Sequence, residues 1–439
     1  MFNSCIAVAS VKEAFQRSRL LLDRDLKIQG DEVGWHQFIG GKKVGIVGSA
    51  LGILCLKYVG QKSPHHELVV RSLTAKQNKD HNSVDCGGWH MLSSDGMATV
   101  EATSWALMGL ADEYSADCQK SKQTGLAWLA SNQNVDGGWG GRRGLPSRTY
   151  ATFLACRTIS QLDPGTVCEQ FDNVRRAKEW ILRSQHLDSG WGARPEDPST
   201  AVHSAFAVLA LRSLGQSVDG ESLQGAIRFI SSQWNSASNW EHTERLEQYE
   251  IPKLNQGWTR VTFQFFPTAW CIVALMTVGC NFLVRELLQS VTWLLQTQEQ
   301  DGSWVCPGIR PTRLWIIHDA LLALTTFLQK AISQDVPFEL LFAPNIAIVY
   351  EQRKRAYLVR ALALVLAFMA STLIFLGVML GNAWGGRAPT LGTWAWFVFG
   401  SLMAGSLIMA KYKLISWRDV FLVMLIPGTL LVLQIYMGR

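Results

Sequence analysis

The chain has no cysteine pair at C-x-x-C spacing and no zinc-finger pattern, and its nine cysteines are odd in number and scattered. That excludes a secreted disulfide framework and points to a reducing compartment. The N-terminal region reads as lacking a signal peptide, because Lys12, Arg17, Arg19, Asp23, Arg24 and Asp25 break any apolar run. There is no P-loop, no G-x-G-x-x-G and no RNA-binding signature. Nucleotide hydrolysis and nucleic-acid partners are excluded on that ground. No Asp-Asp dipeptide occurs anywhere, an absence that bears on acid chemistry. What the chain has in excess is tryptophan, 18 among 439 residues, and apolar side chains, 48% of the total. The net charge of +6 is mildly basic.

Composition changes near Glu351. A basic cluster, Arg353-Lys354-Arg355, precedes apolar stretches at about 357–380, 390–410 and 420–437. Each is close to the ~20 residues that cross ~30 Å of hydrocarbon as a helix. Trp384, Trp394, Trp396 and Trp417 stand near their ends, and Lys411, Lys413 and Arg418 fall in the second connecting loop. The pattern predicts three transmembrane helices in a domain covering 346–439. The positive-inside rule then makes this a multi-pass membrane protein with its N-terminal domain cytosolic. Membrane lipid is an expected partner, with oligomer formation through the spanning helices a further option.

Residues 1–345 read as repeats. Tryptophans 35, 89, 139, 191, 258 and 304 punctuate the chain at gaps of 54, 50, 52, 67 and 46 residues. In three units a glutamine precedes the tryptophan by six: Gln133 to Trp139, Gln185 to Trp191 and Gln298 to Trp304. Asp-Gly-Gly, Asp-Ser-Gly and Asp-Gly-Ser runs lie between them, turns in which glycine supplies positive φ. Looser units hold Gln77 with Trp89, and Gln233 with Asn239-Trp240. The segment from Trp240 to Gln256 reads as a charged surface insertion. An amphipathic helix is predicted before each turn. A uniformly apolar one is predicted after it, at 44–56, 102–110, 149–159, 201–214, 268–278 and 314–327. Helices apolar all round are buried all round. Two concentric layers follow, closed into a ring or left as an open solenoid.

These units resemble the QW repeats of squalene–hopene cyclases, and the Gly190-Trp191-Gly192 to Pro198-Ser199-Thr200 loop resembles protein prenyltransferase β subunits. The resemblance covers residues 30 to 335. It implies an all-α fold, a six-hairpin α/α toroid, here followed by the three transmembrane helices. It also implies an apolar centre that encloses isoprenoid chains. The cyclases of that family protonate an alkene or epoxide with a carboxyl kept neutral beside others, in an Asp-x-Asp-Asp motif. Without an Asp-Asp dipeptide that motif is missing here, as is the Asp-Asp-x-x-Asp that holds magnesium diphosphate. Asp85-Cys86 is read as a turn. Prenyltransferase zinc is held by Asp, Cys and His, and His318-Asp319, Cys271 and His203 occupy comparable places. A core role for these residues is the stronger expectation, so no metal ligands are assigned and no cofactor is identified.

The polar residues on inner helices, Glu101, His203, His318 and Asp319, are the candidate catalytic groups, because a buried charge is costly unless paired or used. Trp105, Tyr150, Phe153, Phe206, Trp270 and Trp315 are candidates to line a ligand site. Arg142, Arg143 and Arg148 cluster before one inner helix, and Arg194, Arg260, Arg310 and Arg313 occupy similar loops. In a closed ring they would form a rim suited to an anionic head group. The expected function is binding of an isoprenoid or a phosphorylated hydrophobic ligand without Asp-x-Asp-Asp chemistry. Two alternatives stand beside it. One is a cyclase or prenyl-transfer enzyme with non-standard acid or zinc residues. The other is a ligand sensor coupled to a transmembrane effector in stress or antiviral defence.

Overall fold

The two halves of each repeat fold as antiparallel helix pairs. A computed structural model describes residues 8–91, 97–163, 172–240, 246–253, 257–280, 285–304 and 312–333. The pairs are α1 (Val8–Asp25) with α2 (Ile46–Tyr58), α3 (His66–Ala75) with α4 (Val100–Gly109), and α5 (Ala116–Ser131) with α6 (Thr149–Leu162). Next come α7 (Asp172–Arg183) with α8 (Ala201–Ser213), α9 (Glu221–Ser232) with α10 (Pro267–Thr277), and α11 (Arg285–Gln296) with α12 (Leu314–Ser333). The first helix of a pair is amphipathic: α7 buries only Val174, Ala177, Trp180 and Ile181, one helical stripe. The second is buried throughout, as in α4 from Val100 to Gly109. The even-numbered helices pack on one another in sequence, and α12 returns to pack on α2. The ring is therefore closed.

The Gln-to-Trp unit is the joint. Trp139, Trp191 and Trp304 each donate their indole N–H to a carbonyl near the end of their own outer helix, at 2.8, 2.7 and 2.7 Å. The glutamine amide reaches the other way, to the next outer helix. Gln77 donates to Ser121 O at 2.9 Å, Gln133 to Asn173 O at 2.8 Å and Gln185 to Ser222 O at 3.0 Å. Gln298 closes the circle by donating to Ala14 O of α1 at 3.0 Å. The turn glycines serve the same seam. Gly137 (φ 96°) and Gly302 (φ 94°) are left-handed, and a Cβ on either would lie within 2.4 Å of a carbonyl oxygen on the next outer helix.

One repeat marker is displaced from its expected place. The fourth-interval tryptophan is Trp240, not Trp258: Trp240 is fully buried and donates to Ile230 O at 2.8 Å, ten residues back like its counterparts. Trp258 lies instead on β4. The insertion here is an antiparallel hairpin, β3 (Leu246–Lys253) with β4 (Gly257–Gln264), paired from Leu246 with Gln264 to Lys253 with Gly257. Thr259, Val261 and Thr262 favour the strand there. A second, short ladder pairs Lys27–Gln29 with Glu32–Gly34, so the domain is not purely helical. Replacing Trp240 by alanine is expected to cost about 3–5 kcal/mol, the usual cost of emptying a buried aromatic site. Urea unfolding measures it, and a loss under ~1 kcal/mol, within the range of surface changes, would return the marker to Trp258.

The transmembrane part of the expected fold is corrected. No helix among the described residues is long and apolar enough to cross a membrane. The longest, α12, carries His318, Asp319 and Lys330 and spends its apolar surface inside the ring. The stretches 357–380, 390–410 and 420–437 lie outside the described residues. A multi-pass membrane protein with a cytosolic N-terminal domain is therefore not supported. The chain divides into units Met1–Pro344 and Asn345–Arg439, and the second is wholly outside the described residues.

Candidate functional site

Each inner helix alternates with one outer helix, so the inner helices run parallel. Their N-terminal ends are tied together: Val100 N–H donates to Gly141 O at 2.9 Å, Thr149 to Ala193 O at 3.0 Å and Leu314 to Gln37 O at 2.9 Å. A buried Ser or Thr early in the helix anchors five of the six entry loops by accepting from the tryptophan backbone N–H. The pairs are Ser49 with Trp35, Thr103 with Trp89, Thr152 with Trp139, Ser204 with Trp191 and Thr268 with Trp240, at 2.9–3.3 Å. A hydroxyl 13 or 14 residues after a Gly-Trp is the sequence signal for this anchor, and Trp240 is set farther back by the hairpin insertion.

The aromatic candidates meet in the middle. Phe153 and Phe206 stack with centroids 5.1 Å apart and planes 15° apart. Trp270 stands edge-on to both, at 5.3 and 5.2 Å. Tyr150 lies 5.0 Å from Phe206 and 4.9 Å from Phe265. The Tyr150 hydroxyl donates to Glu101 Oε1 at 3.4 Å. His203 lies edge-on to Phe206 and Phe265, and its Nδ1 is 2.8 Å from Thr200 Oγ1, the cap of its own helix.

A second polar group lies on the other side of these rings. His318 and Asp319, neighbours on α12, join through Nδ1 and Oδ1 at 2.9 Å. Trp270 Nε1–H donates to Asp319 Oδ2 at 2.8 Å. His318 Nε2 is 3.3 Å from the Tyr58 hydroxyl, and Trp105 is edge-on to the imidazole at 4.8 Å. Burial pushes the Asp319 carboxyl well above the ordinary carboxylate range, against the opposing pull of Trp270 and Arg157. Burial, helped by the Arg157 charge, pushes His318 well below the ordinary imidazole range. Burial also pushes the Tyr58 hydroxyl up to about 12, against the Arg157 charge, and raises the Cys55 thiol, with Asp319 adding to the effect. Burial thus favours the uncharged form of all four groups.

The four candidate catalytic residues thus fall in separate places: Glu101 with Tyr150, His203 with its cap, and His318 with Asp319. Among the described residues no group of three or more His, Cys, Asp or Glu is placed to hold a metal ion, and Cys271 Sγ turns to Ala201 O at 3.7 Å. Trp315 is apart from the cluster, packing on Phe38 at 5.6 Å with Arg313 over its ring at 5.2 Å. The arginine loops do stand at the N-terminal end, but Arg194 is neutralised by Asp197 at 3.0 Å and Glu196 at 3.1 Å. Burial would raise the Asp197 carboxyl, yet Arg194, with the Arg148 charge behind it, outweighs that and holds it low. Arg143 donates to Ser131 O at 3.1 Å and Arg142 to Met97 Sδ. The side chains of Arg260 and Arg310 lie outside the described residues. Tyr58, Phe265 and Arg157 belong to the centre but were not among the expected residues. Arg157 had a signal, a lone charge in the apolar stretch 149–159.

Residues 97–245 match the squalene-hopene cyclase C-terminal domain, and 203–310 match the prenyltransferase alpha-alpha toroid domain. The squalene–hopene cyclase of Zymomonas mobilis is 22% identical over 241 residues, 50% of this chain and 36% of that one. The terpentedienyl-diphosphate synthase of Kitasatospora griseola is 38% identical over 85 residues, 19% of this chain and 16% of that one. The chain thus spans about a third or less of these relatives. Among solved structures, the type II terpene cyclase MstE from Scytonema, in complex with geranylgeranyl dihydroxybenzoate, superposes with a TM-score of 0.51. That match is 15% identical and covers 74% of this chain and 99% of that one. The fold is a terpenoid cyclase-like α/α toroid.

Proposed function

From the premise of a terpenoid cyclase-like toroid, we propose that the protein binds a linear isoprenoid chain at the centre of its inner ring, against Trp105, Phe153, Phe206 and Trp270. The observation that carries this reading is the convergence of those rings from four inner helices on one mostly apolar centre with a few polar groups. Such composition suits an apolar ligand fixed by a small number of polar contacts. Aromatic faces also attract the polarisable double bonds of a polyene. The test is fluorescence titration of the purified protein with geranylgeraniol beside a saturated straight-chain alcohol of equal length. Tighter binding of the polyene by about 10-fold, lost in Phe206→Leu, is expected from an aromatic contribution of ~1 kcal/mol or more. Equal affinity for the two alcohols would overturn the reading.

One observation favours a second reading, in which the bound chain reacts. Burial favours the neutral form of the Asp319 carboxyl in a mostly aromatic setting, with the Trp270 N–H placed to take up charge on the carboxylate it would leave. Such an acid could pass its proton to a double bond and start a cyclisation; the ring-closed cation then gives up a proton to water, the carboxylate is reprotonated from solvent, and the product is an isomer of the substrate. Gas chromatography–mass spectrometry of squalene and geranylgeranyl substrates after incubation distinguishes the readings. Isomeric cyclic products that vanish in Asp319→Asn establish the enzyme, and intact substrate throughout leaves binding alone.

A further inference from the structure

Near the aromatic centre of the inner ring lies a guanidinium for which no described residue supplies an ion pair. Arg157 rises from the second half of α6, and its guanidinium lies 5.8 Å from the Trp270 ring and 5.9 Å from the Phe153 ring. Nη1 is buried and has no hydrogen-bond partner. Burial disfavours the ionised form of each titratable neighbour that senses its charge, Tyr58, His318 and Asp319. A guanidinium in such a place is costly unless something compensates it. The two aromatic faces offset part of that cost, but they leave Nη1 without an acceptor. The side chain as a whole is half-buried, so a ligand can reach it.

On the isoprenoid-binding reading, we propose that Arg157 seats the head group of the ligand and that this head group is a carboxylate. Arg157 offers one positive charge and a planar fork, which matches one carboxylate with two oxygens. The Tyr58 hydroxyl, half-buried on α2, is hydrogen-bonded to Arg157 and stands beside the fork. A diphosphate carries several negative charges, against the single positive charge that Arg157 offers. A carboxylate also makes the site electrically neutral, so the apolar tail lies against Trp270 and Phe153 without a net charge beside it. The arginines of the N-terminal rim are at the opposite end of the inner helices from Tyr58, and Arg194 there already has its carboxylates.

The test is titration of the full chain with geranylgeranoic acid, geranylgeraniol and geranylgeranyl diphosphate at pH 7.5. Wild type is compared with Arg157→Gln and Arg157→Lys, and circular dichroism melts confirm that each variant is folded. One charge-assisted pair in a buried setting corresponds to about 10–100-fold in affinity. The acid is therefore expected to bind that much more tightly than the alcohol in wild type. That preference should fall to within ~3-fold in Arg157→Gln, a difference of under 1 kcal/mol, with the alcohol unchanged, and be intermediate in Arg157→Lys. Alcohol binding equal to the acid in wild type, or a preference that survives Arg157→Gln, overturns the carboxylate assignment and leaves isoprenoid binding intact. Tightest binding of the diphosphate overturns the monoanion in favour of a phosphorylated ligand. Binding of none of the three overturns the isoprenoid reading and the head-group assignment together.

Discussion

Asp319→Asn is expected to remove the loss of stability that the wild type shows above pH 6.5, and His318→Asn is expected to produce the opposite profile. The sign follows from counting protons. Unfolded, the aspartate titrates near 3.8 and the histidine near 6.5. Folded, burial keeps the carboxyl protonated and the imidazole neutral, so the pair holds one proton over a wide range. Between about pH 4 and 6.5 the unfolded pair also holds one, as imidazolium and carboxylate, and stability is flat. Above 6.5 the unfolded pair holds none, so stability falls as pH rises, by about 1.4 kcal/mol per unit until the folded carboxyl ionises. Below 4 the unfolded pair holds two, and stability falls as pH drops.

In Asp319→Asn only the depressed histidine remains. Its contribution is complete above 6.5 and lost as pH falls below it, so the variant is flat in the alkaline range. Asparagine keeps an oxygen for Trp270 Nε1–H and an N–H for His318 Nδ1, so the packing survives the exchange. In His318→Asn only the raised carboxyl remains, and its contribution is complete below about 4 and declines from there upward. Chemical denaturation at pH 5, 6.5 and 8 reads all three profiles. At pH 8 the gap between Asp319→Asn and wild type should have widened by about 2 kcal/mol relative to pH 6.5. A constant gap would mean that Asp319 is ionised in the fold and paired with Arg157.

The ring was legible in the sequence because each repeat states its own geometry. Glutamine, a turn of Asp with Gly or Ser, tryptophan and an apolar helix recur, and each member has a fixed partner in the fold. Trp258 was misread because Gly-Trp carries the marker only where an outer helix ends shortly before it for the indole to cap, ten to sixteen residues back in the other repeats. The hairpin of Leu246–Gln264 had pushed the next inner helix away from Trp240. The centre was legible as a set of types but not as neighbours. Residues on six different helices meet there, and sequence spacing within one helix cannot say which turn of the next it faces. Hence His318 and His203, alike on paper, sit in different surroundings, one against Asp319 and Tyr58 and the other at its own helix cap. The apolar tail illustrates a different limit. Length and hydropathy alone predicted spans, and no described helix meets that requirement.

Closure of the ring rests on a seam whose strength can be isolated at Gln298. Its amide donates to Ala14 O, Ser18 Oγ and Gly302 O at 2.9–3.1 Å, and its oxygen accepts from Arg17 Nε at 3.2 Å. Gln298→Leu keeps the bulk but removes all four of these hydrogen bonds, and although Ser18 Oγ still donates to Gly302 O, a loss of about 1–3 kcal/mol is expected. The equivalent Gln133 joins α5 to α7, which the intervening α6 also holds in sequence. Gln298 joins segments 284 residues apart, so the chain supplies no short tether when the seam fails. Local opening is therefore expected to release α1 first. Hydrogen exchange followed by mass spectrometry should show amides of 11–25 exposed in Gln298→Leu while those of the even-numbered helices stay protected. Gln133→Leu, at a joint flanked on both sides by ring, should instead lower protection across the toroid. Uniform loss in both variants would mean that the six hairpins unfold as one unit and that the seam has no separate existence.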